Sequence, residues 1–132
     1  METEKLTVKD CMLYLNAKVQ EFENEMPFKK CSDWENILDF LGNKITTTPY
    51  QNIDRLIEHC KLQLRPIESL TEEEIATIGT ALGITHKMVM NYVTGLMNYN
   101  LDFMKATYVS DKCKEWNIDI YGFIKSGKAV AE

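Results

Sequence analysis

Glycine and proline are scarce in this chain of 132 residues, which contains six glycines and three prolines. So few of them leave little room for long loops or interdomain linkers, because both residues concentrate in turns and irregular segments. The length is that of one domain, since domains most often contain about 100–150 residues. We therefore predict a single domain that covers residues 1–132.

Long apolar runs are also missing, and the first residues do not have the pattern of a secretory leader. The first residues, Met1-Glu2-Thr3-Glu4-Lys5, are polar or charged and lead into no apolar stretch of the kind a signal peptide requires. No apolar run approaches the roughly 20 residues that a membrane-spanning helix needs. The four cysteines form no Cys-x-x-Cys pair: Cys11, Cys31, Cys60 and Cys113. These absences predict a cytoplasmic protein with reduced, mostly buried thiols and no membrane contact.

A surplus of positive charge is absent as well, since 20 acidic and 15 basic residues give a net charge of −5. This balance disfavours a protein that works mainly by coating nucleic acid or an anionic membrane. Catalytic patterns are equally scarce, because neither a Gly-x-Ser-x-Gly elbow nor a glycine-rich phosphate loop occurs. A metal or cysteine–histidine site would require folding to gather His59, Cys60, His86 and Cys113. The sequence therefore predicts no enzymatic activity, metal or cofactor.

Apolar residues recur at helical spacing through most of the chain. Capping residues precede these stretches at Thr7, Ser32, Thr48, Thr71, Thr85 and Asp119, and a further stripe contains Val109, Cys113 and Trp116. Gly42-Asn43 would end the second helix, and Cys60 would lie on the third. Residues 19–22 fit either a helix or a short strand, and residues 61–65 alternate as an extended segment does. The pattern predicts a mainly α fold, a compact bundle of about six short helices with room for one or two short strands.

Residues 78–93 resemble the helix-turn-helix of sequence-specific DNA-binding proteins. Gly79 is the small residue at a helix crossing, Gly83 the glycine of the turn, and Ile84 the apolar residue that plugs it. Val89, Tyr92 and Val93 would anchor the second helix in the core. Five residues would then face outward, where a recognition helix meets the major groove: Thr85, His86, Lys87, Met90 and Asn91. Among these, the candidate nucleic-acid-binding residues are Thr85, His86, Lys87 and Asn91, with Asn91 suited to an adenine edge and Lys87 to guanine or phosphate.

Charge argues against that interpretation. Between Thr71 and Asp102 there are four acidic residues and one base, Lys87, whereas DNA-binding proteins bring several basic side chains to the phosphates. Three of the acids, residues 72–74, would lie at the far end of the first helix, leaving residues 86–101 without a carboxylate. Any tight helical hairpin needs the same small and capping residues. A structural hairpin and a DNA-binding one both stay open, the second requiring flanking bases such as Lys112, Lys114, Lys125 and Lys128.

Three further blocks carry a wider resemblance: residues 5–10, residues 62–71 with Leu-Arg-Pro and Leu-Thr, and residues 112–129 with Glu-Trp and Tyr-Gly-Phe-Ile. They are similar to blocks in small uncharacterised proteins of phages and prophages of gut Bacteroidetes. The resemblance implies an origin in a mobile element. It supplies no known activity that could be expected of this chain. Residues 31–60, which read as helical, depart from the strand-rich front half of that family. The two later blocks are dense in apolar residues, which favours core scaffold over a functional site.

These observations lead to two functional hypotheses. The first is a non-enzymatic protein-interaction protein, an accessory factor of a phage or other mobile element with an unidentified protein partner. The second is a helix-turn-helix transcriptional regulator that binds DNA through Thr85, His86, Lys87 and Asn91. Both hypotheses are compatible with a homo-oligomer.

Overall fold

The computed structural model describes residues 4–23, 29–30, 33–47, 53–95 and 103–132. Its helices are α1 (Val8–Leu13), α2 (Ile37–Thr47), α3 (Ile53–Ile57), α4 (Glu72–Leu82), α5 (His86–Gly95), α6 (Phe103–Glu115) and α7 (Phe123–Ser126). Its strands are β1 (Lys18–Glu23), β2 (Lys29–Lys30), β3 (Glu35–Asn36), β4 (Cys60–Leu64) and β5 (Ala129–Ala131), and a 3-10 turn covers Ile67–Ser69. No helix within these ranges is long and apolar enough to cross a bilayer.

The strands form one mixed sheet in the order β2-β1-β4-β5, with β3 also paired to β1. β1 runs antiparallel to β4, with Val19 opposite Leu62, and β4 runs parallel to β5, with Leu62 opposite Ala129. The protein is therefore an α/β fold, and the prediction of a mainly α bundle is wrong. The sheet was hard to see in the sequence because β2, β3 and β5 have only two or three residues each, too few to show an alternating pattern.

Residues 19–22, which fitted helix or strand, belong to β1, and the predicted extended segment at residues 61–65 corresponds to β4. Cys60 lies on β4 and not on a helix, because it pairs with Glu21 of β1. Tertiary pairing of this kind overrides local helical preference. Ser32, Thr48 and Cys31 lie outside the described residues.

The predicted limits of the second helix are wrong at both ends. Glu35 and Asn36 pair with β1, and the helix begins only at Ile37, where the Asn36 side chain accepts a hydrogen bond from the Leu38 amide at 2.9 Å. It continues through Gly42 to Thr47. Glycine tolerates a helix interior at a cost of about 1 kcal/mol relative to alanine, which packing elsewhere on the helix offsets.

Two apolar clusters form the interior. The sheet cluster joins β1, β4 and β5 to α1, α2, α3 and α7, and its buried members are Leu6, Cys11, Tyr14, Ala17, Val19, Ile37, Phe40, Ile57, Cys60, Leu62, Leu64, Phe123 and Ala129. The helical cluster joins α4, α5 and α6, and its buried members are Ile75, Ile78, Val89, Tyr92, Val93, Val109, Cys113 and Ile118.

Backbone and side-chain hydrogen bonds connect the two clusters. The Tyr14 hydroxyl donates to the Ile118 carbonyl at 2.8 Å and accepts from the Ile120 amide at 3.1 Å. The Arg65 amide donates to the Asn117 carbonyl at 2.7 Å, and Asn117 itself is left-handed at φ 61°. These bonds hold the α4–α6 unit firmly against the end of the sheet.

The two later blocks of the phage-protein resemblance form this connection. The N-cap residue of α7 is Gly122 rather than the predicted Asp119, but the Asp119 carboxylate accepts from the Phe123 and Ile124 amides at 2.8 and 2.9 Å. Leu64 and Ile118 are fully buried. Buried apolar residues of both blocks therefore contribute to the core, as expected.

Candidate functional site

Helices α4 and α5 form a tight hairpin whose ends are defined by side-chain caps. Thr71 begins α4 with a capping box, since its hydroxyl accepts from the Glu74 amide at 3.1 Å and the Glu74 carboxylate accepts from the Thr71 amide at 2.9 Å. Gly83 ends α4 in the left-handed conformation at φ 66°. Thr85 then accepts from the Met88 amide at 3.3 Å. The predicted caps and turn are confirmed.

Gly79 lies where the chain after the turn approaches α4 most closely. Its carbonyl accepts a hydrogen bond from the Ile84 amide at 3.0 Å. A Cβ atom at Gly79 would lie only 2.9 Å from the Ile84 carbonyl oxygen, closer than nonbonded atoms pack. A larger residue at this position would force the backbone after the turn to shift, which agrees with the small residue that the sequence predicted here.

The outer side of α5 carries the four candidate residues together. We call these four the hairpin face, and all are exposed: Thr85, His86, Lys87 and Asn91. The predicted anchors Val89, Tyr92 and Val93 are buried in the helical cluster. Met90 was predicted to face outward, but it packs half-buried against that cluster. Met88, also on α5, is exposed, with 44% of its surface accessible.

A groove of about 210 Å³ lies beside this face, between α4 and the start of α5. We call it the α4 groove, and its lining consists of Glu72, Ile75, Ala76, Gly79, Thr80, Ile84 and His86. Its floor is apolar or small, and its polar groups are the Glu72 carboxylate, the Thr80 hydroxyl and the His86 imidazole. Glu72 lies at the far end of α4, as expected. The structure adds that it shares the lining of one groove with His86.

A sequence argument could have found this groove only in part. Glu72, Ala76, Gly79 and Thr80 lie three or four positions apart and so share one face of α4. The contribution of Ile84 and His86 depends on the angle of the turn, which no local pattern specifies.

The carboxylates at the start of α4 have different surroundings. Glu74 forms a two-point ion pair with Arg65, with N–O distances of 2.7 and 2.8 Å. The Arg65 guanidinium holds the pKa of Glu74 at about 2, well below its usual range. Glu72 and Glu73 are exposed, and neither forms an ion pair within the described part of the chain. These two carboxylates thus face the positive end of the α4 dipole without a cationic side chain beside them in the described part of the chain.

The lysines expected to flank a DNA-binding helix are mostly engaged elsewhere. Lys128 pairs with Asp10 at 3.0 Å and lies over the Phe123 ring. Lys112 pairs with Glu115 at 3.4 Å and lies 5.9 Å from the centres of the Tyr108 and Trp116 rings.

The two remaining flanking lysines differ from each other. Lys114 lies 5.8 Å from the centre of the Tyr121 ring. Lys125 is exposed on α7. The hairpin face therefore has Lys87 as its own cation and receives few free cations from the predicted flank.

The structure does not assemble the cysteine and histidine residues into one site. Cys60 belongs to the sheet cluster and Cys113 to the helical cluster. Burial raises the pKa of both the Cys11 and Cys113 thiols to about 12, which suppresses the thiolate that a nucleophile needs. Across the residues that the structure describes, no three histidine, cysteine or acidic side chains are grouped as metal ligands would be.

Comparison with known proteins adds no relative, because no protein-family model, curated protein or solved structure matches the chain.

Proposed function

We propose that this chain is a non-enzymatic interaction protein that binds a protein partner through the hairpin face and the adjoining α4 groove. Following the phage-protein resemblance, we further propose that it acts in the cytoplasm as an accessory factor of a phage or other mobile element. The observation that carries the proposal is that the α4 groove has a carboxylate, Glu72, in the same lining as His86 of the hairpin face.

The rigid scaffold supports this function. Helix α4 is capped at both ends, α5 is capped at its start, and both pack on a shared cluster, so their outer side chains are presented in one fixed arrangement. Met88 adds an exposed apolar side chain next to the hydrogen-bonding groups of His86 and Asn91. A flexible, polarizable methionine among polar groups is common at protein-binding surfaces.

Electrostatics favours a protein partner over DNA. A helix that enters the major groove lies close to phosphates on both sides, so carboxylates near its start repel the duplex. Glu72, which lines the same groove as His86 at the start of α5, is exposed and forms no ion pair within the described residues. The loss of Lys112 and Lys128 to intramolecular contacts removes cations that could offset this repulsion.

Matched surface variants test the proposal. Lys87→Ala removes an exposed cation from the hairpin face, and Lys9→Ala removes an equally exposed one from α1. Each immobilised variant is exposed to a lysate of the cell that carries the gene. We expect a protein that wild type and Lys9→Ala retain alike and that Lys87→Ala with Asn91→Ala retains at least tenfold less. The proposal is contradicted if all variants retain the same amount of each lysate protein, or if wild type retains no protein.

A helix-turn-helix DNA-binding regulator is the second candidate, favoured by one observation: α5, His86–Gly95, contains no carboxylate. Fluorescence anisotropy with genomic DNA fragments across a salt series separates the two. A regulator shows affinity that falls steeply with salt and drops on Lys87→Ala or Asn91→Ala but not on Lys9→Ala. We expect no sequence-specific binding, even at low salt.

A further inference from the structure

We infer that the α4 groove is a receptor for one basic side chain, arginine or lysine, of the protein partner. This inference rests on the proposed function, because it names the chemistry of the partner at the same surface. The feature that it explains is an apolar trough with a carboxylate in its lining.

The size and floor of the groove fit a long side chain with an aliphatic stem. Its volume of about 210 Å³ suits one side chain and leaves no room for a folded element. Ala76 and Gly79 keep the floor low, and Ile84 forms an apolar part of the lining. Arginine and lysine bury their methylene stems along such apolar surface while keeping the charged end in contact with polar groups.

The charge of the lining selects a cation. Glu72 is the one acidic residue that lines the groove. Arg65 does not neutralise it, because the guanidinium is committed to Glu74 through both N–O contacts. A guanidinium or ammonium group in the groove would gain a charge-assisted hydrogen bond to Glu72, which is stronger than a bond between neutral groups.

The remaining polar groups fit the same occupant. The Thr80 hydroxyl can accept a hydrogen bond from a guanidinium N–H, and the His86 imidazole can accept one through an unprotonated ring nitrogen. A carboxylate or phosphate would instead meet Glu72 with like charge at short range. The groove thus discriminates between cations and anions by the sign of one residue.

Two variants in the same helical turn provide a matched test. Glu72→Gln removes the charge from the groove lining, whereas Glu73→Gln removes an equivalent exposed charge that does not line the groove. The probes are Nα-acetyl-arginine methylamide, its lysine analogue and the neutral citrulline analogue, titrated at millimolar concentration into the full chain. Backbone amide shifts in NMR spectra report both the location and the strength of binding, and the unperturbed spectrum of each variant reports its folding.

We expect the arginine and lysine probes to shift the amides of residues 72, 76, 80 and 86. Glu72→Gln should weaken this binding at least fivefold and Glu73→Gln less than twofold, while citrulline should bind at least fivefold more weakly than arginine. Equal binding of citrulline, equal effects of the two variants, or no shifts at these residues overturns the inference. These results are independent of the capture experiment, so a partner lost with Lys87→Ala but no groove binding would refute this inference and leave the proposed function standing.

Discussion

The guanidinium of Arg65, just beyond β4, contacts the carboxylate of Glu74 on α4 through two N–O distances of 2.7 and 2.8 Å. The same carboxylate accepts from the Thr71 amide and so completes the cap of α4. The Glu74 side chain therefore both caps the start of α4 and joins the hairpin to the residue that follows β4. Both partners are largely shielded from solvent, with 23% and 18% of their side chains exposed.

Replacing Glu74 with glutamine should destabilise the protein. The change leaves the Arg65 guanidinium partly buried without its counter-charge, which costs about 2–3 kcal/mol in the free energy of unfolding. Glu73→Gln, one residue earlier and exposed, should change it by less than about 0.5 kcal/mol. Urea denaturation followed by circular dichroism measures both, and equal midpoints for the two variants would show that the ion pair contributes nothing.

The pH dependence of stability should carry the signature of the same carboxylate. The Arg65 contact lowers the pKa of Glu74 from 4.5 to about 2 in the folded chain. A lowered folded-state pKa means that the stabilisation is complete above pH 4.5 and is lost as the pH falls towards 2. The difference in unfolding free energy between wild type and Glu74→Gln should therefore shrink across that window. A difference that stays constant between pH 6 and pH 2.5 would contradict the assignment.

Two glycines in helices should respond to alanine in opposite directions. At Gly79 a Cβ atom would lie 2.9 Å from the backbone carbonyl of Ile84, so Gly79→Ala should destabilise by about 1–3 kcal/mol. At Gly42 nothing lies within 4 Å of the new atom, so Gly42→Ala should stabilise α2 by up to about 1 kcal/mol. Thermal unfolding of both variants checks this prediction. A stabilised Gly79→Ala would mean that α4 and the Ile84 segment do not approach as closely as described.

The Tyr14 hydroxyl should contribute measurably to stability, apart from the burial of its ring. Tyr14→Phe keeps the buried ring but removes the partner of the Ile118 carbonyl and the Ile120 amide. The Ile118 carbonyl and the Ile120 amide also bond to each other at 2.9 Å, so neither group is left unpaired, and losing their bonds to the hydroxyl should cost about 0.5–1.5 kcal/mol. Tyr108→Phe is a suitable control because that side chain is only half-buried, and it should change stability little. Comparable losses in the two variants would argue against the Tyr14 connection.

The hairpin was predictable from the sequence because its determinants are local. The Thr71 box, the Gly83 turn and the Thr85 cap each act within four residues, and all are where the pattern placed them. The anchors Val89 and Val93 follow from helical spacing alone. For the same reason the exposed positions of Lys87 and Asn91 could be anticipated.

The sheet and the α4 groove were not predictable in the same way. β5 joins β4 across more than 60 residues of chain, and its three residues, Ala129–Ala131, carry no distinctive pattern. Pairing with β1 also places Glu35 and Asn36 in a strand where a helix was expected, and it places Cys60 in β4. The presence of Glu72 and His86 in one groove depends on the crossing of two helices, which is a property of the packed core.

Site-specific photocrosslinking from position 87 tests directly whether the hairpin face binds a protein. A photoreactive amino acid replaces Lys87 in the full chain within the cell that carries the gene, and the same amino acid at position 9 serves as the exposed control. We expect a light-dependent adduct at position 87 that contains a second protein, resists nuclease and is missing at position 9. An adduct that nuclease destroys, or the same adducts from both positions, would contradict the claim that the hairpin face binds a protein.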